Sequence, residues 1–237
     1  MQYVELVTRD DRYVALRNQC DTIFDTRRRL PQQVFRTPFR HLYAFEQAML
    51  TSRGFAAFLT EIAQRFGDTA VNYMTLDPDP VEYYLKRIGF YGLASFTPSS
   101  LNERYLEVMS RGGEAESFSG SGGDVAVVWG SSHGWGIFCD RFSWELCIMG
   151  SSSPLDEVIN PEREATIRYM EKQVKGYILG IYRHKPDVAR DFLAELSKNY
   201  PALMEGDVSH APPAVLYEKA TDGKFPLFRK ANTTRQE

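Results

Sequence analysis

Cysteine is scarce in this chain: three in 237 residues, an odd number, at Cys20, Cys139 and Cys147. That count excludes a disulfide framework of the secreted kind and fits a reducing compartment, so a cytoplasmic location is expected. Histidine is also sparse, and His41, His133, His184 and His210 show no zinc-ligand spacing. No metal and no other cofactor is expected. Positive charge is not in excess: 28 Lys and Arg stand against 31 Asp and Glu, a formal charge of −3. A protein that coats nucleic acid needs a basic field, so that class is excluded. No segment approaches the roughly twenty consecutive apolar residues of a membrane helix. The start, MQYVELVTRDD, lacks the basic region and apolar stretch of a signal peptide. Gly120, Gly122 and Gly123 match neither a dinucleotide fingerprint nor a phosphate loop, because no Lys-Ser/Thr follows them.

What is present is ordinary globular material: 43% hydrophobic and 25% charged residues, in a chain long enough to bury a sizeable core. A single domain over 1–237 is expected, with a mobile Gly/Ser-rich loop at 112–124 and a loosely packed tail after 201. The N-terminal portion reads as helical. Tyr13, Leu16, Cys20, Ile23 and Phe24 recur at three and four and form one apolar stripe. Thr37-Pro38 has the form of a helix start, with Phe39, Leu42, Phe45 and Met49 following at helical spacing. Phe55, Phe58, Leu59, Ile62 and Phe66 make a second amphipathic helix, stopped by Gly67. Residues 69–76 read as a short strand. Asp79, Pro80 and Glu82 then supply a cap, a first-turn proline and an acidic third position for a helix to about Ile88. Thr97-Pro98 repeats the device. Asn160-Pro161 opens a further helix through Ile167, Met170, Val174 and Ile181, and another begins near Pro186. The class is α+β: a helical N-terminal portion, a small antiparallel meander, and a C-terminal helical pair packed on the sheet.

The meander occupies 125–150, VAVVWGSSHGWGIFCDRFSWELCIMG, and holds all three tryptophans. A loop at Ser131-Ser132-His133-Gly134, with Gly134 suited to a left-handed position, sets Val128 against Ile137, Ala126 against Cys139 and Trp129 over Gly136. A turn at Arg141–Trp144 then pairs Cys139 with Leu146, Ile137 with Ile148, Phe138 with Cys147 and Asp140 with Glu145. On that register one face is core: Ala126, Val128, Ile137, Cys139, Leu146 and Ile148. The other carries Trp129, Phe138, Asp140 and Glu145, apolar at one end and acidic at the other. Cys139 and Cys147 point to opposite faces and are not expected to bridge.

Like charges directly across a ladder are unfavourable, so an Asp140–Glu145 pair demands neutralisation. A cation or solvent within the chain would serve, as would a cationic group of a partner. Crowded carboxylates could also form a metal or acid–base site. A hydrolase alternative would use Cys139 as nucleophile with His133 and Asp140, or the carboxylate pair itself. Asp77-Pro78-Asp79 has the form of a metal-carrying D-x-D element, but no βαβ succession surrounds it and Asp79 serves better as a helix cap.

The stretch Trp129-Gly130-Ser131-Ser132, Trp135-Gly136-Ile137-Phe138, Asp140-Arg141 and Ser143-Trp144-Glu145 resembles hairpin segments of cytoplasmic immunity proteins from bacterial polymorphic toxin systems. The resemblance covers about a tenth of the chain. It implies an α+β protein without enzymatic activity that binds a toxin, often through an acidic surface, so a basic toxin domain is an expected partner. The expected binding residues are Trp129, His133, Phe138, Asp140 and Glu145.

Overall fold

A computed structural model describes residues 4–110, 124–141, 144–155, 157–158 and 174–204. The expected loop at 112–124, apart from Asp124, the helix start at Asn160 and the tail beyond Met204 lie outside these residues. Seven strands form one antiparallel sheet: β1 (Val4–Leu6), β2 (His41–Glu46), β3 (Val71–Asp77), β4 (Leu93–Phe96), β5 (Val125–Gly130), β6 (Trp135–Asp140) and β7 (Leu146–Ser151). Their order across the sheet is β1-β4-β3-β5-β6-β7-β2. The described helices are α1 (Asp10–Ile23), α2 (Arg53–Arg65), α3 (Lys86–Ile88), α4 (Pro98–Met109), α5 (Val174–Ile181), α6 (Pro186–Asn199) and α7 (Pro201–Met204). The α+β class holds, with a sheet more than twice as wide as the three-stranded meander.

Helices cover both faces. On one side α2 and α4 bury Phe55, Phe58, Leu59, Leu101 and Tyr105 against Tyr73, Val128, Ile137 and Met149. On the other, α1, α5 and α6 bury Leu16, Ile23, Ile178, Phe192 and Leu196 against Met74, Val127, Phe138 and Ile148. The sheet is therefore the middle of three layers, which is why β5, β6 and β7 are buried at every position. A strand buried on both faces reads as a continuous apolar run, and its alternation carries little information. Each fully buried Phe, Leu or Ile contributes about 1.5–3 kcal/mol through removal from water.

The expected helix through Phe39, Leu42, Phe45 and Met49 is not formed. His41–Glu46 is instead β2, paired along its whole length with β7 from His41–Ser151 to Glu46–Leu146. Leu42 and Ala44 join one core while Tyr43 and Phe45 join the other. Apolar residues on both sides of the strand reproduce a three-four spacing, and the ladder with β7 decides between the two. The α2 spacing, the Gly67 stop and the Asp79 cap stand, and the structure adds a cap at Ser52. Ser52 caps α2 by accepting from Phe55 N–H at 3.0 Å, and Gly67 follows it at φ 65°. Asp79 accepts from the N–H groups of Val81 and Glu82, both at 2.8 Å, so it is a cap, as read. The turns after it are wider than α-helical over Pro80–Leu85 before tightening into α3.

Candidate functional site at the β6–β7 turn

The β5–β6 register is the expected one, including Trp129 opposite Gly136. The ring that fills the space over Gly136 is Phe24, whose Cζ would lie 2.6 Å from a β-carbon there. The left-handed residue of the β5–β6 turn is His133, at φ 59°, rather than Gly134. Gly134 is required for room, since a β-carbon would meet Phe66 at 2.6 Å.

The β6–β7 register differs by one residue. Asp140 pairs with Leu146, Cys139 with Cys147, Phe138 with Ile148 and Ile137 with Met149. The connection spans five residues, 141–145, and Glu145 enters the left-handed region at φ 49° before β7 begins. Because side chains alternate with period two, that one residue moves all of β7 to the opposite face. Leu146 and Ile148 therefore lie under α5 and α6, while Cys147 and Met149 join Cys139 under α2 and α4. Asp140 and Glu145 do not oppose each other. Cys139 and Cys147 share a face, contrary to expectation, and both are free thiols.

The mixed apolar–acidic face is likewise not a surface. Trp129 and Phe138 are 0% exposed and Asp140 is 2% exposed. Of the five expected binding residues only His133 and Glu145 reach solvent, and they lie at opposite ends of β6. His133 is six residues from Cys139 along extended chain, roughly 20 Å at about 3.3 Å per residue. Asp140, paired with Val125 and Leu146, belongs to the opposite face from Cys139. A Cys139/His133/Asp140 arrangement is not assembled.

The structure gathers a different group at the end of the sheet. One ladder row reads Asp77, Val125, Asp140, Leu146, Glu46 across β3, β5, β6, β7 and β2. Carboxylates thus fall on every second strand, roughly 10 Å apart at about 4.8 Å per strand, instead of face to face. Asp124 joins them: its N–H donates to the Asp77 carbonyl at 2.8 Å, and Arg141 N–H donates to the Asp124 carbonyl at 2.7 Å. Burial, then the neighbouring Asp77 carboxylate, raises the Asp124 carboxyl above its ordinary value, against the pull of Arg141.

Glu145 is the exposed member, and its backbone is held from two sides. Its carbonyl accepts from Gln47 N–H at 2.9 Å and from the Tyr177 hydroxyl at 3.1 Å. Beside it Trp144 stacks on Phe192 at 3.6 Å between ring centres and lies 4.8 Å from Tyr182. The phenol of Tyr182 is raised by partial burial and then by Asp140 and Glu145. The turn is thus clamped to α5 and α6, with the Glu145 carboxylate held at the surface. The sequence singles out Glu145 at this end of the sheet, but does not place Asp77, Asp124 or Glu46 there with it. The available signal was the acidic residue at the end of each of those strands.

Among the described residues no group of three or more His, Cys, Asp or Glu is placed to hold a metal ion, and no helix is long and apolar enough to cross a membrane. No family model, no curated protein and no solved structure matches this chain.

Proposed function

We propose that this chain is a non-enzymatic binding protein of the immunity-protein kind, which holds a basic surface of a protein partner, such as a toxin domain, against the acidic end of its sheet. Glu145 is the central contact, with Asp77 and Asp124 farther along the same end of the sheet. The observation that carries this reading is the clamped turn: an exposed carboxylate on backbone in the left-handed region, its carbonyl held by hydrogen bonds from Gln47, just past β2, and from Tyr177 on α5. A charge held in place before binding loses little conformational freedom on contact. Carboxylates gathered at one end of the sheet also speed the approach of a cationic partner. The hairpin resemblance supports the same reading, because immunity proteins of that kind often meet their toxins through acidic surfaces.

The test uses the full chain with the product of its neighbouring gene as candidate partner. Glu145→Lys combined with Asp124→Lys is expected to weaken binding at least about tenfold, the equivalent of about 1.4 kcal/mol, and to leave the melting temperature within a few degrees. Unchanged affinity in a folded double variant overturns the proposal.

A further inference from the structure

Cys139 and Cys147 stand directly opposite each other on β6 and β7, and the Cys139 thiol is one of the groups that raise the Cys147 thiol. Two backbone bonds define the kind of pair they form. Ser152 N–H donates to the Gly134 carbonyl at 2.9 Å, just beyond the Trp135–Ser151 pair. Hydrogen-bonded and non-hydrogen-bonded pairs alternate along an antiparallel ladder. Counting inward from that bond makes Trp135–Ser151, Ile137–Met149 and Cys139–Cys147 the non-hydrogen-bonded pairs. The second bond, from Gln47 N–H to the Glu145 carbonyl at 2.9 Å, lies just beyond Glu46–Leu146 and gives the same parity through β2. In such pairs the Cα atoms are about 4.5 Å apart, inside the range of about 4.4–6.8 Å that disulfides span.

We infer that Cys139 and Cys147 are a redox pair that closes into a cross-strand disulfide by exchange with a small-molecule disulfide such as oxidised glutathione. One thiolate attacks oxidised glutathione, forming a mixed disulfide and expelling one glutathione thiolate. The second protein sulfur attacks the mixed disulfide and expels the other. The protein loses two electrons and two protons, and one oxidised glutathione becomes two glutathione thiols. Both cysteines are buried in the resting fold, at 2% and 0% exposure, and burial pushes the Cys147 thiol up. Exchange therefore proceeds through opening of the β7–β2 edge or during refolding, when thiolates reach solvent. The disulfide would lock the hairpin that carries the Trp144–Glu145 turn. Cys20, on the buried face of α1 in the other core, takes no part. The inference stands on the ladder geometry and is independent of the binding proposal.

The experiment refolds the full chain from denaturant in two glutathione buffers, one mostly oxidised and one mostly reduced, so burial no longer limits access. Intact mass, peptide mapping and circular dichroism follow. In the oxidised buffer the expected product is folded, lighter by two hydrogens, cross-linked between the peptides holding Cys139 and Cys147, and higher in melting temperature. Cys20→Ala, measured in parallel, is expected to give the same cross-link. Folded protein that keeps both thiols reduced in the oxidised buffer overturns the inference. So does a product that carries glutathione adducts, pairs Cys20, or loses native ellipticity on oxidation.

Discussion

The carboxylate of Asp68 accepts a 2.8 Å hydrogen bond from the indole nitrogen of Trp135, tying the segment after α2 to the first residue of β6. The same carboxylate takes Ser132 N–H at 2.6 Å and the Ser131 hydroxyl at 3.4 Å. Ser131 Oγ in turn accepts from Thr69 N–H at 2.9 Å. One buried acid therefore closes the β5–β6 turn against the chain entering β3, at the end of the sheet away from Glu145. Asp68→Ala leaves a buried indole donor and a turn amide unpaired. The expected loss is about 2–6 kcal/mol, from about one to three kcal/mol for each of the two unsatisfied groups. Asp68→Asn, which keeps one acceptor oxygen, should lose less. Urea denaturation ranks the three proteins; equal midpoints would deny Asp68 this role. Gly130→Ala should mimic the loss, because its β-carbon would overlap the Asp68 carboxylate.

Phe138 is expected to behave as core. Phe138→Ala should cost about 3–5 kcal/mol, read from a shift in denaturant midpoint at constant slope. It is wholly buried beside Phe24, 6.4 Å between ring centres. A loss below about 0.5 kcal/mol, ordinary for an exposed site, would return it to the surface.

Glu145 separates stability from recognition. Its left-handed backbone suits glycine, so Glu145→Gly should relieve strain and raise stability by up to about 1 kcal/mol while removing the proposed binding charge. Tyr177→Phe removes one of the two hydrogen bonds to its carbonyl and should cost about 0.5–1.5 kcal/mol. Thermal melts of both variants check the pair, and a destabilised Glu145→Gly would contradict the observed φ.

Asp124 gives a pH signature. Its carboxyl is raised above the ordinary 3.8 by burial and by Asp77, so the folded chain binds this proton more tightly than the unfolded chain. The charge consequently opposes folding above the raised value, and that penalty fades as pH falls through it. Asp124→Asn should be the more stable protein at neutral pH, with its advantage gone below about pH 3.8. Melting curves of the two from pH 7 to pH 3 test the convergence; a difference that grows with acid would reverse the sign.

Much of the fold was legible one segment at a time. The cap at Asp79, the stripe on α1 and the glycine stop after α2 need only neighbours within a few residues, and local chemistry decides them. The β5–β6 register was legible for the same reason, since a short loop leaves few alternatives. β2 was not. Its residues feed two cores at once, and both-sided burial erases the period-two signal while Phe39, Leu42 and Phe45 imitate a helix. Nor was the β6–β7 register, which turned on whether Glu145 belonged to the strand or to the turn. The candidate site suffered most, because that single residue carried the assignment of every side chain on β7.

By itself the sequence determined the α+β class, the absence of metal and phosphate-loop motifs, the helix boundaries set by caps and glycines, and the pairing of β5 with β6. Only the tertiary structure decided that the sheet has helices on both faces, that Trp129, Phe138 and Asp140 are interior, and that Cys139 faces Cys147. The reason is physical. Local signals report bonds made within a few residues, whereas the face a strand presents depends on what packs on each side and on the length of a turn. At the β6–β7 turn those depend on hydrogen bonds to Glu145 from Gln47 and Tyr177, which lie far from it along the chain.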